Sequence, residues 1–453
     1  MYKKLRFVVR FAVQLISKYR FAIVLGLIVG AMSFFLVPRI LPRLPVLRPT
    51  QKIGLVGRYT LADLPQNIMT KVSVGLTILS PSGLTNPGLA TAWEATDSGK
   101  TYIFTINPDF KWHDNTALKS SDIKYSFKDA RVSYPDDAHL IISLNDPFAP
   151  LPAVVSKPVL KSTAFPRRYL GVGAYKIAGF SRNGSFIESV SLTPSDVRSS
   201  LPNLRYIIYP SQSQARTALK LGILTALEDL PDPGDLADWP NLSLTSTVHS
   251  DRYVAIFFNT QSELFMGSGG KNLRLALAYS IDKSRFSPET RAYSPLSHES
   301  WAYNPNVKPY DQDLSRARTL LKSDGQQITA PINLTVVPAY LEIAEAVKSD
   351  WEALGLTVNL QVTPDLPDDF QALIVAQTIP SDPDQYNVWH STQTATNLTR
   401  LKNPRIDKLL EDGRKILDPD QRRQIYLDFQ RFLLEEVPAV FLFHPETYTV
   451  TRK

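Results

Sequence analysis

Apolar and polar residues alternate through Thr101, Tyr102, Ile103, Phe104, Thr105 and Ile106, the period of two that sends successive side chains to opposite faces of a strand. Asp97, Ser98, Gly99 and Lys100 before it form a turn, since glycine admits positive φ and aspartate bonds its own backbone. A second turn surrounds Asn107, Pro108 and Asp109, and Ser120 or Ser121 then predicts the cap of a helix carrying Ile123, Tyr125 and Phe127. Strands are also expected at 52–59, 175–180 and 253–260. Further on, a strand at 206–209, a cap at Ser211, a helix at 215–221, a stop at Gly222 and a strand at 223–227 make one βαβ unit, which calls for a parallel sheet. Leu273, Ala276, Leu277 and Ile281 fall on one helical stripe.

The C-terminal third repeats these signals. Ile332, Leu334 and Val336 alternate; Ala344, Val347, Trp351 and Leu354 follow the helical period; Gly355 ends the helix; and Leu356, Val358, Leu360 and Val362 alternate again. A buried strand follows at 370–376. Asn403 with Pro404, and Asp418 with Pro419 and Gln421, open two helices, and 441–444 reads as a strand. The fold class is therefore α/β, and 453 residues exceed the roughly 250–300 at which one core stops growing, so two lobes are expected.

Charge separates the N-terminus from the rest. Residues 1–50 hold nine Lys and Arg and no acid, so of the formal net charge of +7 the remaining chain carries −2, and nucleic-acid binding loses its compositional support. The stretch 21–37 has no charge and is near the lower limit for a bilayer span, with six basic residues before it and three after. It is read as a transmembrane anchor with the N-terminus cytoplasmic and the bulk outside, in preference to a cleaved signal peptide, because Phe34, Phe35, Leu36, Val37 and Pro38 offer no small-residue cleavage site. Pro38, Pro42, Pro45 and Pro49 make a stiff spacer. With no Cys, disulfides and lipidation are excluded. The six His are scattered with no pair at metal-ligand spacing, and no nucleophile elbow or zinc-protease motif is present. No cofactor is expected: the Gly171, Gly173 pair lacks the third glycine of a dinucleotide loop, and Gly99-Lys100-Thr101 lacks the first glycine of a phosphate loop.

The stretch 84–127 resembles a known family. Pro87, Leu89, Ala90, Trp93, Glu94, Tyr102, Phe104, Ile106, Trp112, His113, Asp114, Thr116, Leu118, Asp122, Ile123, Tyr125, Ser126 and Phe127 stand in the order characteristic of the bacterial extracellular solute-binding proteins of family 5, the peptide and nickel receptors of ABC importers. Asn115 stands where that family prefers Gly, and Asn tolerates the same left-handed backbone. Asp63-Leu64-Pro65, 171–177, Asn259-Thr260, 272–282 and the C-terminal helix pair are similar as well, so the resemblance runs from about residue 51 to the end.

The resemblance implies a two-lobed periplasmic-binding-protein-like fold with a small inserted subdomain. The chain would divide into a cytoplasmic segment 1–20, an anchor 21–37, a linker 38–50, lobe I at 51–255 with the insert at about 75–170, lobe II at 256–438, and a return to lobe I at 439–453. It further implies capture of a small solute, a peptide or related compound, for the permease subunits of an ABC importer, with no enzymatic activity. A receptor-like domain repurposed for sensing or scaffolding is the alternative, and an extracellular hydrolase the second. Ligand contact is expected at Asp382, Asp384, Tyr386 and Trp389, in the loop resembling the family's Asp-Pro-Asp loop, and at Phe257 and Phe443 near the hinge; no metal ligands are expected. Thr378, Ile379 and Pro380 stand where peptide-binding members place an acid for the ligand's amino group, a role left to Asp382 or Asp384.

Overall fold

The strand Thr50–Val56 lies at the middle of a seven-stranded sheet, parallel to Asn203–Tyr209 on one side and to Ala226–Leu230 on the other. The computed structural model describes residues 18–21, 25–26, 30, 32, 34, 48–163, 168–323 and 328–453. The sheet runs Tyr175–Asn183, Phe186–Pro194, Asn203–Tyr209, Thr50–Val56, Ala226–Leu230, Glu446–Arg452, Leu242–Val248. The expected crossover is present: Ser211 Oγ accepts from the Gln214 amide, the helix Gln212–Lys220 follows, and Gly222 takes φ +75 at its end. The returning strand is displaced from its expected place at 223–227. Its pairing begins at Ala226, because the amides of Ile223 and Leu224 are engaged by the Ala218 carbonyl at the helix end.

A five-stranded sheet runs Val358–Val362, Ile332–Val336, Ala372–Thr378, Arg252–Phe258, Ala439–Phe443. Its first three strands are parallel and the other two pairings antiparallel. The crossover helix Leu341–Glu352 buries Ala344, Val347 and Trp351, the stripe its period predicts, and Gly355 stops the turn at φ +86. Asn403 Oδ1 accepts from the Arg405 and Ile406 amides at the head of Pro404–Lys415, and Asp418 Oδ1 from the Gln421 amide at the head of Pro419–Glu436. The strand Ala439–Phe443 stays in this sheet. The return to the seven-stranded sheet is made by Glu446–Arg452 and not by residues 441–444.

A four-stranded antiparallel sheet, Ala90–Thr96, Thr101–Ile106, His139–Leu144, Ala130–Ser133, has its own core of Tyr102, Phe104, Trp112, Ile123, Leu140 and Ile142. Burying a side chain such as Phe104 contributes about 1.5–3 kcal/mol. The turn before it holds Asp97, Ser98 and Gly99 all at positive φ, and Asn115 sits at φ +66 as the glycine-like position requires. The helix expected after Ser120 is absent: only the 3-10 turn Ser120–Asp122 forms, and Ile123 leaves it with φ −85, ψ 110. Trp112 Nε1 donates to Asp122 at 2.9 Å, and the rings of Tyr125 and Phe127 stack at 5.6 Å. Stacking at a spacing of two belongs to extended chain, so the Ile123, Tyr125, Phe127 alternation is the signature of period two.

Two adjacent segments join the large sheets. Leu242–Val248 and Glu446–Arg452 pair in one sheet, while Arg252–Phe258 and Ala439–Phe443 pair in the other. Between them the His249 amide donates to Pro445 O at 2.9 Å, His249 Nε2 meets Thr447 Oγ1 at 2.6 Å, and His444 Nδ1 meets Arg252 O at 2.8 Å. Burial holds the His444 imidazole below its ordinary pKa, although the Arg252 carbonyl favours the charged form.

Residues 1–49 with 196–202 form a separate unit. In it, the Arg48 guanidinium donates to the Asp196 and Ser199 carbonyls at 3.1 and 2.9 Å. The expected cytoplasmic segment, anchor and linker lie for the most part outside the described residues. Of the anchor, Phe21, Leu25, Gly26, Gly30, Met32 and Phe34 are described, and all are helical. Among the described residues, no helix is long and apolar enough to cross a membrane.

Candidate functional site in the seam between the sheets

The strand Ala372–Thr378 ends at a loop that carries both expected acids, and each has an arginine from the C-terminal helix pair. Asp382 is gripped end-on by Arg422, with Nη1 donating to Oδ2 at 2.9 Å and Nη2 to Oδ1, and Arg422 Nε donates to the Gly413 carbonyl at 2.8 Å. Burial works against the Arg422 charge, but the Asp382 carboxylate more than offsets it and the pKa rises. Asp384 accepts from Arg414 Nε at 2.8 Å and from the Tyr386 amide at 3.1 Å. Burial raises its pKa, with Arg414 pulling the other way. Both carboxylates thus have fixed internal partners. An α-amino group would compete with bidentate or charge-assisted bonds already made.

Arg414 also spans the seam. Its guanidinium lies 4.1 Å from the Tyr386 ring centroid and 5.3 Å from that of Phe148, and its carbonyl accepts from the Ala149 amide at 2.7 Å. Tyr386 in turn stacks on His390 at 4.0 Å. Two further contacts close the same seam. The Trp301 amide donates to Ser82 O at 3.0 Å, and Gly83, at φ +81, packs so tightly that a Cβ would lie 2.6 Å from Ser381 O.

Two spaces flank these contacts. A cavity of about 310 Å³ is walled by Leu84, Trp93 and Tyr102 from the small-sheet side and by Trp301, Leu417 and the Asp382–Arg422 pair from the other. Burial pushes the Tyr102 hydroxyl up to about 12, with Arg422 opposing, and the hydroxyl donates to Phe148 O at 3.0 Å. A cleft of about 820 Å³ opens beside it, with Phe127, Phe148, Tyr386, Glu411 and Arg414 on its walls. Aromatic walls with a mutually neutralised ion pair suit stacking and apolar contact better than capture of a free charge.

Of the six residues singled out from the sequence, Asp382 lines the inner cavity and Tyr386 the outer cleft, while Asp384 sits behind them with Arg414. Phe257 and Trp389 are each 1% exposed, 6.2 Å apart, inside the core of the five-stranded sheet. Phe443 stacks on Phe286 at 4.9 Å, away from both spaces. Trp93, Tyr102, Trp301, Arg414 and Arg422 line the spaces without having been singled out as ligand contacts. Trp93 and Tyr102 belong to the stretch that carried the resemblance, and Trp301 lies in a segment with no hydrophobic period to mark it. Among the described residues, no group of three His, Asp or Glu side chains is placed to hold a metal.

A sequence profile of the bacterial extracellular solute-binding proteins, family 5 (middle region), matches residues 85–133 and 128–398. The oligopeptide-binding protein AppA of Bacillus subtilis is 23% identical over 429 residues, covering 80% of this chain and 78% of the relative. Among solved structures, NikZ from Campylobacter jejuni in complex with Ni(L-His) superimposes with a TM-score of 0.70 at 22% identity, over 89% of this chain and 94% of that one. The ABC transporter substrate-binding protein CtaP from Listeria monocytogenes gives 0.74 at 19% identity, over 89% and 94%. These likenesses establish the two-lobed α/β fold of periplasmic binding proteins.

Proposed function

Because the chain belongs to the bacterial extracellular solute-binding proteins of family 5, we propose that it captures a small solute in the seam between its two lobes and delivers it to the permease of an ABC importer. The observation that carries this reading is the aromatic-walled cavity of about 310 Å³ between the small four-stranded sheet and the lobe of the five-stranded sheet, a lobe that, among the described residues, two adjacent crossings join to the seven-stranded sheet. Such a joint supports hinge closure, and contacts made only in the shut state supply its free energy. The N-terminal apolar stretch would tether the protein to the membrane, and lobe faces, not catalytic groups, would meet the permease.

The solute is a peptide or related compound, in keeping with the oligopeptide and Ni(L-His) ligands in the names of the relatives. Its amino end would not be held in the manner expected of Asp382 or Asp384, since both acids are bound by arginines. The seam residues Trp93, Tyr102, Trp301 and Tyr386 would make the contacts, while Phe257 and Trp389 would support the loop from behind. The hinge would lie at these crossings, residues 249–251 and 444–445, so that lobe II would begin at Arg252 and not at the 256 read from the sequence, and the return to lobe I would follow Phe443 and not begin at 439.

A thermal-shift screen of peptides, sugars and metal chelates tests the reading. A true ligand stabilises the protein by about 2.7 kcal/mol at a hundred times its Kd, and Trp301→Ala abolishes the shift. Stabilisation by no class would favour the scaffold, and turnover of a compound the hydrolase.

A further inference from the structure

A second pocket lies in the lobe of the five-stranded sheet, apart from the seam, among the helices Gly267–Ser280, Leu314–Ser323 and Pro419–Glu436 and the segment 306–310. It encloses about 560 Å³, and four cations, Lys271, Lys308, Arg316 and Arg431, line it against one carboxylate, Glu435. Two of the cations are satisfied: Lys271 pairs with Glu436 at 3.0 Å and Arg431 with Asp428 at 2.9 Å. Lys308 and Arg316 have no ion-pair partner among the described residues. Both instead lie over the Tyr279 ring, at 5.2 and 4.9 Å, and Lys308 is also 5.1 Å from the Tyr310 ring.

Two features of the wall are costly without a compensating role. Tyr310 holds φ +50, an outlying conformation for an aromatic residue, and its hydroxyl donates to Leu434 O at 2.8 Å. Tyr279 is 5% exposed, and its hydroxyl is buried with no hydrogen-bond partner. The result is a preset aromatic platform that brings together two cations whose N–H groups lack an anion. A phosphate answers that arrangement, since guanidinium and ammonium donors bond its oxygens most strongly where water is partly excluded.

We infer that this pocket binds the phosphate group of a small phosphate ester or a phospholipid head group through Lys308 and Arg316. The inference goes beyond solute capture and is independent of it, because the seam contributes no residue to this pocket.

The test titrates the full chain with inorganic phosphate and with glycerol phosphate by calorimetry, and sediments it with phosphatidylglycerol or phosphatidylcholine vesicles. Lys308→Gln combined with Arg316→Gln weakens phosphate-ester binding by about tenfold or more, as loss of charge-assisted bonds requires. Lys308→Arg retains binding, and both variants keep the circular dichroism spectrum and cooperative thermal unfolding of the unsubstituted protein, which shows that the lobe is folded. A drop in binding to anionic vesicles in the double variant, against wild type carrying the same N-terminus, assigns the source as a lipid head group. Loss of glycerol phosphate binding with unchanged sedimentation assigns a free ester. No heat with either phosphate compound at millimolar concentration, equal binding by the double variant, or saturation only by an acidic peptide overturns the inference.

Discussion

Asp382 and Arg422 meet end-on, both carboxylate oxygens on the two terminal nitrogens, across 40 residues of sequence, with only 13% and 7% of their side chains exposed. The pair therefore sits where water screens little, and Arg422 Nε is used as well, by the Gly413 carbonyl. It welds the loop after the strand Ala372–Thr378 to the C-terminal helices and neutralises the Asp382 charge within the protein.

Asp382→Asn should therefore destabilise the protein strongly. Removing one partner of a buried pair strands the other charge and costs about 3–5 kcal/mol. Asp382→Asn with Arg422→Met should cost clearly less than the two single changes added together. Urea unfolding of the four proteins measures this. A single-variant loss below about 1 kcal/mol, the range of surface pairs, would show that the pair is solvated.

Arg414→Met removes the partner of a carboxylate that burial already disfavours. The Asp384 pKa stands above its ordinary value even with Arg414 in place. A carboxyl raised in the folded state stabilises fully below its unfolded pKa and loses that contribution as pH rises through the folded value. Without Arg414 the folded pKa climbs further. The stability deficit of the variant should therefore grow from acid towards neutral pH and shrink again on acidification. Unfolding free energies of both proteins across the carboxylate range check this; a deficit independent of pH would remove Asp384 from the explanation.

The patterns that could be read from the sequence were those with short range. The caps at Asn403 and Asp418 and the stripe of Ala344, Val347 and Trp351 depend on neighbours within four residues, and each lies where its pattern places it. The same rule failed at Ile123, Tyr125 and Phe127, where a cap-like serine outweighed an alternation that was already that of extended chain. The seam was harder to read. The acids of its loop could be picked out, but the arginines that neutralise them lie 30 and 40 residues downstream on helices whose own pattern speaks only of their buried faces. Trp301 reaches the cavity from a segment held by turns, which carries no periodic signal.

His444 lies at the joint between the sheets, with its Nδ1 on the Arg252 carbonyl and the His298 ring 6.2 Å away. Burial lowers its pKa, as it does for His113 beside Gly173. An imidazole depressed in the folded state contributes stability that is present above its unfolded value, about 6.5, and lost as pH falls through the folded value. Stability should thus decline as pH falls below the ordinary imidazole range. His444→Gln should flatten the part of the slope that His113→Gln leaves. Proton uptake on unfolding, measured near pH 6, reads the same quantity, and its absence would contradict both assignments.

Gly83 offers the most direct test of the shut seam. Its φ of +81 carries a cost for any L side chain, and a Cβ there would meet the Ser381 carbonyl oxygen of the opposing loop at 2.6 Å. Gly184 is the control: it has φ +60 and nothing within 4 Å of the Cβ position. Alanine at either site costs about 1–2 kcal/mol of backbone strain. Only at Gly83 does it also press the two halves apart. Gly83→Ala should therefore weaken solute binding and increase the radius of gyration in solution scattering, while Gly184→Ala, with a similar loss in thermal stability, leaves both unchanged. Equal effects of the two substitutions on solute binding would mean that the contact at Ser381 has no part in closure.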